Sequence, residues 1–129
     1  NKQPWKWLIV RSDEAKQKLQ QCYDREWFRS ASMYIVGMRN VEENWVRRYD
    51  GKAHGDIDVA IATEHLCLAA TERGLGTCWV CNYNTDKMKQ LFSRPGFEVV
   101  VIIPIGHIAE DCPYAAKKRK DMSEIVEEI

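Results

Sequence analysis

G-D-I-D-V-A-I-A-T-E-H-L-C-L-A-A-T-E-R, residues 55–73, is the stretch on which the fold turns. Placed on a wheel at about 100° per residue, Ile57, Ile61 and Leu68 fall on one side and Val59, Leu66 and Ala70 on the opposite one. Ala60 and Cys67 fill one flank, and Ala62 and Ala69 fill the other. Apolar side chains surround the axis, broken mainly by Asp58, Thr63, Glu64, His65 and Thr71. A helix of this kind is buried on most sides. In a chain of 129 residues, a second subunit is the natural source of part of that cover. Gly74 and Gly76 supply the stop. Asp56 and Asp58 diverge on a helix and sit at its positive end, so they read as helix-start charges and not as a catalytic pair.

Working outward, Thr77–Cys81 is a strand by composition. Asn84, Thr85 and Asp86 cap a short helix to about Phe92. Pro95-Gly96 is a turn, and Phe97–Ile105 is a buried strand. Upstream, Trp5–Val10 is rich in aromatic and β-branched residues and reads as a strand. Ser12 and Asp13 start a helix through about Tyr23. Met33–Gly37 is a second short strand. Val41–Tyr49 is at best a short amphipathic helix, with a turn at Asp50-Gly51. Beyond Gly106 the chain turns polar, with a basic run at Lys117–Lys120. Strands and helices neither alternate strictly nor segregate. The fold class is therefore α+β, or mixed α/β, in a single domain over 1–129.

Composition excludes several functions. Nineteen basic and 19 acidic side chains cancel, so nothing global attracts nucleic acid or an anionic membrane. The longest apolar run, Val99–Ile103, is too short to span a bilayer. No signal peptide is visible. Five cysteines without a disulfide spacing point to reduced thiols and a cytoplasmic location.

Few residues nominate themselves for chemistry. Cys78-Trp79-Val80-Cys81 has the spacing of a dithiol redox site. In a strand, however, residues three apart face opposite ways, so packing is the plainer reading. His54, His65 and His107 adjoin no nucleophile motif, and no metal-ligand spacing occurs. Lys117–Lys120 is a candidate for binding phosphate through charge-assisted hydrogen bonds; the plain alternative is a solvated surface run.

Taken together, the segments resemble the nitroreductase family of flavin-dependent oxidoreductases. Asn1-Lys2-Gln3-Pro4-Trp5 looks like the family's N-x-Q-P-W entry to its first strand. Asp56–Ala70 resembles its long dimer-interface helix. Gly74-Leu75-Gly76-Thr77-Cys78-Trp79-Val80 is very close to its G-L-G-T-C-W-I segment. Ile103-Pro104-Ile105-Gly106-His107 looks like the last core strand. Lys117 and Arg119 fall where the family places a basic pair on the flavin phosphate, and the segments follow in the family's order.

The resemblance implies a nitroreductase-like fold: a central, mainly antiparallel mixed sheet flanked by helices, in a homodimer with a long interface helix. It implies FMN at the dimer interface and NAD(P)H as hydride donor. Electrons then pass by ping-pong turnover to a nitroaromatic, a quinone or a similar small-molecule acceptor. It assigns flavin contacts to Asn1 and Gln3, to Trp79 and Val80 as a wall, to the backbone of Cys81 and Asn82 near the flavin N5, and to Lys117 and Arg119. Arg25 stands where some relatives have a flavin-facing polar residue. No catalytic side chain and no metal are required, because the cofactor carries the chemistry.

The family's arginine-rich N-terminal helix and the Pro-Ser start of its P-S-x-x-N motif do not precede Asn1 in this sequence. Two missing phosphate contacts cost roughly 3–6 kcal/mol, so residues 1–129 alone are expected to hold flavin weakly. Two alternatives stay open: a flavin-binding or scaffold protein without turnover, and a thiol–disulfide oxidoreductase working through Cys78 and Cys81.

Overall fold

The computed structural model describes residues 2–113 and 116–129. Its elements are β1 (Trp5–Val10), α1 (Asp13–Gln20), α2 (Glu26–Arg29), β2 (Met33–Asn40), α3 (Gly55–Glu72), β3 (Leu75–Thr77), α4 (Thr85–Phe92), β4 (Phe97–His107) and α5 (Met122–Ile125). The strands form one sheet in the order β1-β2-β4-β3. Every pairing in it is antiparallel, so the sheet is not mixed within the described residues.

Alternation along the strands builds two cores. Val10, Tyr34, Val36, Met38 and Ile102 face one side, where they meet Leu19 of α1, Phe28 of α2, and Met88 and Phe92 of α4. Val101, Ile103 and Ile105 face the other side and pack on Val59 and Cys67 of α3. The register slips between Gly37 and Met38, where Val101 and then Val99 are the partners. The extra residue, Val100, packs with the α3 side. Gly37 sits under the helix. A Cβ there would lie 2.8 Å from the Trp7 ring and 3.2 Å from Val59, so the missing side chain is what lets α3 settle on the sheet.

α3 matches its expectation of apolar residues all round. Val59, Thr63, Cys67 and Ala70 are buried. The Thr63 hydroxyl donates to the Val59 carbonyl at 2.7 Å, which satisfies the one polar group on that face. Ile57, Ile61 and Leu68 remain 42%, 55% and 58% exposed on the far side.

Three local expectations change. α1 stops at Gln20, because Gln21 and Cys22 bond three residues back and tighten the last turn. α2 was not foreseen. Val41–Tyr49 is not helical: the Asn40 side chain accepts the amides of Glu42 and Glu43 at 2.9 and 3.0 Å, and Asn44 Nδ2 donates back to the Val41 carbonyl at 3.0 Å. Such side-chain bonds compete with a helix for the same backbone groups. The segment returns as a small hairpin closed by Val46 and Ala53. Arg47 pairs with Asp50 at its turn.

Candidate functional site

The decisive local feature is the exit of β3. Thr77 lies opposite Ile105, and Val80 exchanges two hydrogen bonds of 3.0 Å with Ile102. Counting between these pairs puts Cys78 opposite Pro104. In an antiparallel ladder, alternate residues aim their backbone groups at the same neighbour. Pro104 therefore faces β3, as Ile102 does, and has no N–H to give. The expected strand Thr77–Cys81 breaks there. It ends at Thr77 and touches the sheet again only at Val80.

This break exposes Cys78, Trp79, Cys81 and Asn82. The amides of Cys81 and Asn82 donate to no group among the described residues. The Trp79 side chain is 39% exposed. Val80 is different. It is 3% exposed and packs in the core with Ile102, so its side chain forms no wall at the exit, and only its backbone borders the exposed residues.

Cys78 and Cys81 of the C-x-x-C pair are both free cysteines in exposed positions. Burial nevertheless pushes the Cys78 thiol up, while the nearby Lys117 ammonium pulls it down more weakly. A redox nucleophile needs the reverse balance. Lys117 is therefore within electrostatic reach of the β3 exit. Arg119, two residues on, is exposed. Exposed backbone donors and a cation at one strand end suit an anionic, planar cofactor such as FMN.

The N-terminal segment lies elsewhere. Gln3 adopts φ 47°, the sole non-glycine with positive φ among the described residues, and precedes the fully buried Pro4. Such a conformation is costly outside glycine and asparagine, and often marks a functional position. Asn1 lies outside the described residues. β1 and β3 are the two edges of the sheet, three strand spacings apart, or roughly 14 Å. One copy of the chain therefore does not bring Gln3 to Trp79–Asn82. Arg25 is exposed at the N-cap of α2.

Sequence reasoning missed an ion network. Arg39 of β2 reaches Glu98 of β4 at 2.5 Å and Asp56 of α3 at 3.2 Å. Asp56 thus ties α3 to the sheet besides charging the helix start. Arg39 and Glu98 stand 59 residues apart, beyond any local pattern. Burial pushes the neighbouring Tyr83 phenol up to about 12; its hydroxyl donates to the Val99 carbonyl at 2.7 Å. A half-open cavity of about 470 Å³ lies under α4, lined in part by Met38, Tyr83, Met88 and Phe97. None of the residues nominated from sequence lines it. Among the described residues, no three His, Cys, Asp or Glu side chains converge as a metal site, and no helix is long and apolar enough to cross a membrane.

Comparison with known proteins fits this architecture. The nitroreductase family profile matches residues 17–107. A nitroreductase family protein of Clostridium difficile 630 superposes with a TM-score of 0.88 at 30% identity, covering 98% of this chain and 74% of that one. The chain belongs to the nitroreductase family. An oxidoreductase described as containing FMN shares the fold at a TM-score of 0.68 and 16% identity, over 83% of this chain and 57% of its own. Iodotyrosine deiodinase of Danio rerio is 22% identical over 96% of this chain. The chain spans about half, 52%, of that relative's length.

Proposed function

We propose that the chain is the flavin-binding body of an FMN-dependent oxidoreductase that passes electrons from NAD(P)H to a small-molecule acceptor. The acceptor class is a nitroaromatic, a quinone or a similar compound, and turnover is ping-pong. The observation that carries this reading is that the amides of the exposed residues Cys81 and Asn82 donate to no group among the described residues, with Lys117 within electrostatic reach of Cys78 at the same strand exit. A solved relative of the same fold contains FMN.

Bound FMN would supply the two-electron chemistry. The chain's own residues would hold and orient it. The Cys81 and Asn82 amides would lie toward its ring, Trp79 would border it, and Lys117 and Arg119 would neutralise its phosphate. The distance between Gln3 and the β3 exit favours a site shared by two copies, with Asn1 and Gln3 supplied by the second. The exposed Ile57, Ile61 and Leu68 give that second copy an apolar face, each side chain contributing about 1 kcal/mol or more when covered. Five free cysteines suit a cytoplasmic location.

The test is an absorption spectrum of the protein with FMN, taken anaerobically before and after NADH. A flavin band that bleaches supports the reading. Protein that takes up FMN without bleaching is a flavin-binding member without NADH turnover. Protein that binds no FMN even at saturating FMN concentration overturns the proposal.

A further inference from the structure

The small hairpin between β2 and α3 is held firmly, yet its tip packs on little. The Arg47 amide donates to the Lys52 carbonyl, and the Gly51 amide donates to the Arg47 carbonyl, both at 2.9 Å. Asp50 accepts the Lys52 amide at 3.2 Å and Arg47 Nε at 2.8 Å. Gly51, at φ 69°, completes the turn in a conformation that glycine adopts without strain. At the tip so fixed, Tyr49 is 94% exposed. Residues 45–53 carry three cations, Arg47, Arg48 and Lys52, against the single anion Asp50. Asp50 is already paired with Arg47. Arg48 and Lys52 are exposed and join no ion pair among the described residues. One exposed ring alone is ordinary on a surface. A bare ring flanked in sequence by two uncompensated cations, on a braced turn, has the makings of a nucleotide contact.

The hairpin is also tied to the N-terminal segment. The Lys2 ammonium donates to the Asn44 carbonyl at 3.3 Å, just ahead of the hairpin. The copy that supplies Asn1 and Gln3 to a flavin therefore brings this hairpin to the same site. We propose that its tip binds the adenosine 2′-phosphate of NADPH, with the adenine stacked on Tyr49 and the phosphate on Arg48 and Lys52. Aromatic rings stack on any base, and the two cations give charge-assisted bonds to a phosphate. NADH lacks that phosphate, so the tip selects NADPH. Adenosine is the end of the donor remote from the nicotinamide, which suits a contact outside the flavin pocket. As a choice of hydride donor, the inference rests on the flavin reading; as a site for an adenosine 2′-phosphate, it does not.

The experiment is calorimetric titration of the protein, with and without excess FMN, using adenosine 2′,5′-bisphosphate and adenosine 5′-monophosphate. These probes differ only in the 2′-phosphate. The bisphosphate should bind about tenfold tighter. Arg48→Ala combined with Lys52→Ala should erase that preference. Tyr49→Ala should weaken both probes alike, and Tyr49→Phe, which keeps the ring, should restore them. All three side chains are exposed, so the variants leave the core intact. With FMN bound, anaerobic bleaching at low donor concentration should run about tenfold faster with NADPH than with NADH. Equal affinity for the two probes, a preference that survives in the double variant, or no binding in either condition overturns the inference. Protein that prefers the bisphosphate but takes up no FMN overturns the flavin reading instead. Protein that takes up FMN and bleaches equally fast with both donors overturns only this one.

Discussion

A Cβ built on Gly55 would lie 1.7 Å from the side-chain oxygen of Asn44, so the first residue of α3 and the loop before it occupy each other's space. Asn44 is 6% exposed. Any side chain at position 55 must expel it. Gly55→Ala is expected to destabilise the fold by about 1–3 kcal/mol in urea unfolding. Asn44→Gly should recover part of that loss when combined with Gly55→Ala. Additive effects of the two changes would show that the contact is not the cause.

Removing Lys117 or Arg119 should weaken FMN binding by about tenfold each, as charge-assisted contacts to an exposed phosphate predict. Quenching of flavin fluorescence reads this directly. Cys81→Ser should leave affinity unchanged, because the proposed contact is the backbone amide. Equal losses in all three variants would mean that the site lies elsewhere.

The double change Cys78→Ser and Cys81→Ser should leave NADH-driven turnover intact. Partial desolvation pushes the Cys78 thiol up and not down, and a dithiol enzyme would lose all activity in this variant. Steady-state assay of the double variant separates the two chemistries.

Replacing Ile61 by Glu places a charge in the middle of the exposed apolar stripe of α3. The proposed homodimer should then sediment as a monomer, with little change in monomer stability since Ile61 is 55% exposed. A dimer that survives the change would put the interface on another face.

Tyr83 predicts an alkaline limit to stability. Its phenol is pushed from the ordinary 10.0 to about 12 by burial. Between those values the unfolded chain has released the proton while the folded chain keeps it. Stability from this source is full below about pH 10 and declines as pH rises toward 12. Tyr83→Phe should flatten that decline and cost about 0.5–1.5 kcal/mol at neutral pH through the lost hydrogen bond to Val99. An unchanged slope in alkaline urea titrations would assign the limit to other groups.

Much of this fold could be read locally. Asn84 caps α4 by accepting the Lys87 amide at 2.9 Å, as its side-chain chemistry suggests. β1 runs from Trp5 to Val10, where the β-branched and aromatic run lies. The failures have tertiary causes. Val41–Tyr49 carries a helical spacing, yet Asn40 captures the amides that would begin the helix. The family resemblance gave Val80 a place in a wall beside the flavin, whereas its side chain packs into the core with Ile102, an orientation set by cross-strand pairing and not by local sequence. Of the candidate site, the G-L-G-T-C-W-V segment and the basic run were legible as motifs. That the chain ends of β1 and β3 lie at opposite edges needed the strand order, which no local spacing encodes.

Pro104 gives the β3 exit an unusual kind of remote control. The residue that unzips Cys78 from the sheet belongs to a different strand and acts by what it lacks. Any other amino acid at that position would restore a donor and let the ladder run through to Val80. The opening at the strand end is thus written into the core strand that supports it, and a change 26 residues downstream of Cys78 could shut it without touching a single exposed side chain.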